Sequence, residues 1–292
     1  MSLNNMSNRT ARLLILVLVF GLIYASCGTN APEPVVDPNA GLVQVSNGVG
    51  GLMWVPRFEE LAVADFVSSE FVESGNGGRV EYIGDTYTIT HGIDVSYYQH
   101  DIDWVKVRES GVAFAMIRCG YRGSTEGSIY EDEKFRENVA GALNAGIQVG
   151  IYFFSQAVNV VEAREEADFV LSLIRGMDIT FPVAFDWEYI GMGAQARTDE
   201  VRGTQFTDCA LAFCARIKEF GYEPAVYFYR SLGYYEYELY RLADLTFWVG
   251  AAGGYPDFYY DHYIWQYSET GLVDGIEGYV DLNLCFVPIE AQ

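Results

Sequence analysis

From His91 onward the chain alternates short apolar runs with stretches whose apolar positions recur every three to four residues. The runs cover residues 92–95, 112–117, 148–154, 181–188, 224–229, 245–249, 263–266 and 278–283. Apolar residues are mostly consecutive within them, as in strands buried on both faces. The helical period predicts helices over 131–145, 160–174 and 204–220. These stop at Gly146, Gly176 and Gly221, residues that favour the left-handed turn ending a helix. Strand–helix repeats of this kind imply a parallel sheet covered by helices. Eight runs suggest closure into a barrel. Helical spacing shortens or disappears in the last part of the chain. The expected fold is therefore α/β, an irregular (β/α) TIM-like barrel with reduced helices in its C-terminal half, over residues 91–292.

Before His91 the pattern is weaker. Residues 28–45 are polar and Pro-rich and read as a tether. Residues 46–90 form an N-terminal extension of unassigned role. Within it, 59–73 is weakly amphipathic and 80–89 reads as a small hairpin around Gly84-Asp85. The chain opens with Arg9 and Arg12, an apolar run over 13–25, and Ser26-Cys27. A basic flank, a short apolar core and small residues make residues 1–27 a secretory signal. The run is shorter than the roughly 20 residues of a spanning helix. Tyr24-Ala-Ser-Cys27 resembles a bacterial lipobox, with Tyr24 where the pattern prefers Leu. Cys27 is then the lipidated residue of an exported, membrane-anchored envelope protein; free secretion is the alternative.

Cleavage before Cys27 would remove Arg9 and Arg12 and leave 16 bases against 40 acids. A mature charge near −24 argues against nucleic acid, whose binding rests on Lys and Arg. It serves solubility first. No partner chain is called for, and a monomer is expected. Besides Cys27 there are Cys119, Cys209, Cys214 and Cys285, without C-x-x-C spacing, and only three histidines. A zinc site is not expected. Cys209 and Cys214 read as buried fillers; an oxidising compartment would permit a Cys119–Cys285 bridge.

Asp186-Trp187-Glu188 carries the strongest chemical signal. It ends an apolar run and precedes a glycine-containing loop. Strand residues two apart share a face, so the two carboxylates stand side by side. Such a pair is costly unless used. Like charges push one pKa up, as a general acid needs, while the other stays ionised. Glycosidic bond cleavage uses that division of labour. Asp94 closes the first run and Asp281 lies in the last, and first and last strands are neighbours in a closed barrel. Four acids then meet at one rim, where barrels of this kind place function. For a lone Asp, a turn or cap is the competing reading. Tyrosines and tryptophans crowd the chain after residue 222. Most are core, but those at strand ends can stack on sugar faces; Tyr152, Trp187 and Trp265 are the choices for a cleft. His91, beside the first strand, is a weaker candidate. No P-loop, H-E-x-x-H or G-x-S-x-G occurs.

These residues resemble glycoside hydrolase family 25, the Chalaropsis-type lysozymes, over residues 91 to about 286. The ordered match is His91-Gly-Ile-Asp-Val-Ser96, Asp101-Ile-Asp-Trp104, Phe114-Ala-Met-Ile-Arg-Cys-Gly-Tyr121, Gly150-Ile-Tyr-Phe-Phe154, Phe185-Asp-Trp-Glu188, Ile264-Trp-Gln-Tyr267 and Val280-Asp-Leu-Asn283. The resemblance implies a muramidase cleaving the β-1,4 bond between N-acetylmuramic acid and N-acetylglucosamine in peptidoglycan, without a cofactor. It implies Glu188 as general acid, Asp186 as its partner carboxylate, and Asp94 and Asp281 as supporting acids. Gln266, within the Ile264–Tyr267 motif, joins the substrate-binding candidates. Close carboxylates favour retention of configuration, with Asp186 either attacking the sugar or steadying the substrate's own acetamido group. The competing readings are a chitin-type N-acetylglucosaminidase, a wall-binding module without turnover, and a barrel whose acids hold a metal.

Overall fold

The structure, a computed structural model, describes residues 39–74, 78–191 and 195–289. The expected signal segment, Cys27 and most of the tether lie outside the described residues. The described residues from 41 onward form one compact unit. No helix among the described residues is long and apolar enough to cross a membrane.

Four short strands lead into the barrel. β1 (Leu42–Ser46) and β2 (Leu52–Pro56) make an antiparallel hairpin, and β3 (Phe71–Glu73) pairs antiparallel with β4 (Val80–Tyr82). The barrel strands are β5 (Tyr87–Val95), β6 (Phe114–Arg122), β8 (Gln148–Ser155), β9 (Val183–Trp187), β10 (Pro224–Tyr229), β11 (Thr246–Gly250), β12 (Ile264–Gly271) and β13 (Val280–Pro288). A short β7 (Ile129–Glu131) hangs on the edge of β6. β5 pairs with β13 on one side and with β6 on the other, which closes the barrel. All eight predicted runs are barrel strands.

Two features depart from expectation. β13 runs antiparallel to both neighbours, β12 and β5, so the sheet is not wholly parallel. The hairpin predicted over 80–89 does not form. Val80–Tyr82 pairs back onto β3, while Tyr87 onward belongs to the barrel. Gly84-Asp85 turns the chain, but the two flanking runs find better partners elsewhere. Likewise 59–73 is no amphipathic helix; it is irregular, with one 3-10 turn, and ends in β3.

Five α-helices follow: α1 (Trp104–Glu109), α2 (Phe135–Asn144), α3 (Val160–Ile174), α4 (Thr204–Glu219) and α5 (Arg230–Tyr235). Asn159 caps α3 by accepting from the Val161 and Glu162 amides at 2.9 and 3.1 Å. Gly146 and Gly221 take φ of 74° and 84°, the left-handed conformation that lets the chain turn out of α2 and α4. After β11 no α-helix remains, as the fading helical period predicts.

The strand alternation divides the core in two. Phe114, Met116, Tyr152, Ala184, Tyr227, Trp248, Ile264 and Cys285 fill the barrel interior. Ile117, Phe153, Phe185, Trp187, Phe228, Val249, Trp265 and Phe286 pack outside it. Where helices are missing, the N-terminal extension covers this outer face. Phe71 sets its edge against Trp265 and Phe286, with centroids 5.8 and 6.1 Å apart. Backbone bonds from Ala64 to Tyr259 (3.0 Å) and from Asp261 to Ala62 (2.9 Å) hold the strap along the barrel. His91 joins it too, its Nε2 lying 3.1 Å from Glu81 Oε2, which makes this histidine structural. Cys119, Cys209, Cys214 and Cys285 are all buried free thiols. The Cys119–Cys285 bridge is therefore absent: Cys285 points into the barrel and Cys119 packs outside it.

Candidate active site

A cleft of about 340 Å³ opens at the barrel rim where β5, β6 and β8–β12 end and β13 begins. The antiparallel course of β13 explains why Asp281 belongs there. Asp281 is the second residue of β13, Asp94 the penultimate residue of β5, and the two are direct partners in register. Asp186 enters from β9 and Glu188 lies just past its end; all four acids line the cleft.

Asp94 is held by a chain of amides. Its Oδ2 accepts from Gln266 Nε2 at 2.9 Å and from Asn283 Nδ2 at 2.8 Å. Tyr227 Oη donates to Gln266 Oε1 and Trp248 Nε1 to Asn283 Oδ1, both at 2.8 Å. These outer donors fix which way each amide faces, so both present N–H to Asp94. Gly250 makes room, since a Cβ there would meet Tyr227 Oη at 2.6 Å. Burial raises the pKa of both Asp94 and Asp281. The two amide donors favour the ionised form of Asp94. The proton between the two acids therefore rests on Asp281, whose pKa is pushed up to about 9 by burial and by the Asp94 charge.

Asp186 and Glu188 form the second pair, lining the same cleft and close enough for each to shift the other's titration. Burial is the largest cause holding both carboxyls above their ordinary range, and the mutual charge adds to it for Asp186. The pair keeps a proton to higher pH than a free carboxyl would, and the two groups titrate as one unit. Glu188 is anchored through its backbone: Gln156 Nε2 donates to its carbonyl at 2.9 Å, and Thr198 Oγ1 donates to Gln156 Oε1 at 2.7 Å. Arg197, clamped on both oxygens of Glu162 at 2.6 Å, closes that network from behind.

Tyr152 and Gln266 line the cleft as predicted. Trp187 and Trp265 do not. Trp187 is 1 % exposed and packs on Phe206; Trp265 is 0 % exposed and donates to the Ala251 carbonyl. The reason is strand parity. Trp187 sits between Asp186 and Glu188, and Trp265 precedes Gln266, so each must point away from the cleft. Trp248 and Tyr227 are the aromatic wall instead, cross-strand partners with centroids 4.6 Å apart. Arg118, Asn283 and Glu269 also belong to the site or its support and were not predicted. Parity would have found Asn283, two residues after Asp281. Among the described residues, no group of acids, histidines or cysteines has the arrangement of a metal site.

The protonated state of Asp281 has a consequence for stability. Its folded pKa of about 9 lies above the unfolded value near 4. Its contribution to stability is thus complete below about pH 4 and lost as pH rises toward 9. Asp281→Asn keeps an N–H for Asp94 and cannot ionise. It is expected to raise the melting temperature by a few degrees at pH 8 and much less at pH 4. Thermal melts at both pH values check this; equal shifts would contradict it.

Residues 93–276 match the model of the Glycosyl hydrolases family 25. Lysozyme M1 of Streptomyces globisporus is 32 % identical over 208 residues, 66 % of each chain, so this chain spans just under two thirds of that relative. The crystal structure of the bacterial lysozyme from Streptomyces coelicolor is similar with a TM-score of 0.53 at 29 % identity, over 66 % of this chain and 90 % of that one. The modular autolysin LytC from Streptococcus pneumoniae, solved with a synthetic peptidoglycan ligand, is similar with a TM-score of 0.57 at 26 % identity, over 73 % of this chain and 51 % of that one. With its ordered motifs and closed barrel, and with residues 93–276 matched, this chain belongs to glycosyl hydrolases family 25.

Proposed function

We propose that the chain is a peptidoglycan hydrolase, a muramidase that cleaves the β-1,4 bond between N-acetylmuramic acid and N-acetylglucosamine with retention of configuration. The observation that carries this reading is the buried Asp186–Glu188 pair, both carboxyls held above their ordinary range, in a rim cleft with an aromatic wall. The lysozyme and the peptidoglycan-bound autolysin among its relatives favour this glycan over chitin.

The Asp186–Glu188 pair keeps a proton above the usual carboxylate range; Glu188 delivers it to the leaving oxygen, then takes one from water. Retaining enzymes that attack through a carboxylate hold their two carboxyls about 5–5.5 Å apart, with the sugar carbon between. An attacking carboxylate must also be ionised, whereas burial holds Asp186 well above the ordinary carboxylate range. That supports Asp186 as the group that orients the substrate's acetamido, whose carbonyl oxygen attacks the anomeric carbon. Asp94 and Asp281, one charged and one protonated, supply an acceptor and a donor at the opposite wall.

The deciding measurement is product analysis after digestion of purified peptidoglycan. New reducing ends on N-acetylmuramic acid, first released as the β-anomer, are expected. New N-acetylglucosamine reducing ends would sink the assignment. Mass spectrometry of the chain during turnover should find no sugar on Asp186; a trapped adduct there would make Asp186 the nucleophile. Export and anchoring through Cys27 complete the reading, and Cys27→Ala is expected to abolish labelled-lipid incorporation in cells.

A further inference from the structure

The cleft holds one cation among its described lining residues, Arg118, against the five acids Asp94, Asp186, Glu188, Glu269 and Asp281. Arg118 projects from β6, on the wall where Tyr98 and Gln99 also line the cleft. It is only 9 % exposed. Asp132 accepts its Nε at 2.8 Å, which fixes the plane of the guanidinium. The rings of Tyr97, Tyr98 and Tyr121 surround it, 5.1, 5.4 and 5.6 Å from the guanidinium carbon. Yet Nη2 is buried with no hydrogen-bond partner. A buried charged donor left unpaired costs more than a neutral one. Arg122, four residues on, is by contrast fully engaged by Glu166, the Gly127 carbonyl and the Glu162 carbonyl.

An oriented fork with spare donors suits a carboxylate. The acids of the opposite wall repel one. We propose that Arg118 reads a carboxylate of the glycan strand, and that this lone cation sets which way the anionic side of the sugar faces in the cleft. This rests on the peptidoglycan reading above. Two carboxylates of such a strand have the required chemistry: the lactyl carboxylate of peptide-free N-acetylmuramic acid, and the carboxylates of the peptide stem.

The test uses the non-cleaving Glu188→Gln chain and calorimetric binding of two kinds of glycan strand, peptide-free and stem-bearing. Each is used native and with its carboxyls converted to amides. Loss of a charge-assisted contact should weaken binding about tenfold or more on amidation. Loss confined to peptide-free strands identifies the lactyl group; loss confined to stem-bearing strands identifies the stem. Adding Arg118→Gln should make binding indifferent to amidation. Should that variant fail to fold, the amidation comparison with Arg118 intact still decides. Equal binding of native and amidated strands of both kinds would overturn the role of Arg118. In that case the unsubstituted enzyme would still cleave native strands. Failure of that cleavage would instead remove the muramidase reading itself.

Discussion

Glu188→Gln is expected to lower kcat on purified bacterial walls by about two to four orders of magnitude while leaving wall binding nearly unchanged. Glutamine has the same shape and stays neutral. The backbone of residue 188 stays held by Gln156, whose bond goes to the carbonyl and not to the side chain. What disappears is the transferable proton. The loss should therefore fall on kcat and not on KM, because the interaction removed operates only as the leaving oxygen gains charge. A turbidity assay with a parallel pull-down on insoluble walls measures both quantities. Near-normal clearing by the variant would remove Glu188 from the acid role. A proportional loss of binding would point to damage of the cleft instead.

Phe71→Ala is expected to destabilise the protein by about 3–5 kcal/mol, although Phe71 lies outside the residues matched to the family. Phe71 is buried and packs edge-on against Trp265 and Phe286, with Tyr82 also against it at 5.1 Å. Trp265 and Phe286 sit on the outer faces of β12 and β13, and among the described residues no α-helix follows β11. The strap supplies there the apolar cover that α2, α3 and α4 supply elsewhere. Val72, next in sequence and 45 % exposed, is the control, and Val72→Ala should change stability by no more than about 0.5 kcal/mol. Urea unfolding compares the midpoints at unchanged slope. Equal effects of the two substitutions would make the extension an appendage and not part of the barrel's core.

Much of this architecture was legible from pattern. Runs apolar on both faces marked all eight barrel strands, because a strand covered by helices outside and by side chains inside has no polar face. Gly146 and Gly221 marked helix ends because few other residues tolerate their backbone conformation. Asp186 and Glu188 stood out because two carboxylates at spacing two must share a face. The same rule, applied to Trp187, excludes it from the cleft. Trp187 and Trp265 lie toward strand ends, where an aromatic can reach a cleft, but parity overrides position along the strand.

By itself the sequence determined the eight barrel strands, the three long helices, the barrel class, the four acids and the family they match, since each depends on local spacing or on an ordered motif. Tertiary structure alone decided the rest. The reversed direction of β13 brings Asp281 opposite Asp94, and nothing local to 280–288 encodes its pairing with β5, nearly two hundred residues away. The orientation of the Gln266 and Asn283 amides depends on Tyr227 and Trp248, brought together only by closure of the sheet. The proton on Asp281 and the shared proton of Asp186 and Glu188 depend on burial, a property of the assembled rim. Arg118 became a candidate only once closure of the barrel placed it, with its one fixed bond and its unpaired nitrogen, at a cleft whose other charged lining is acidic.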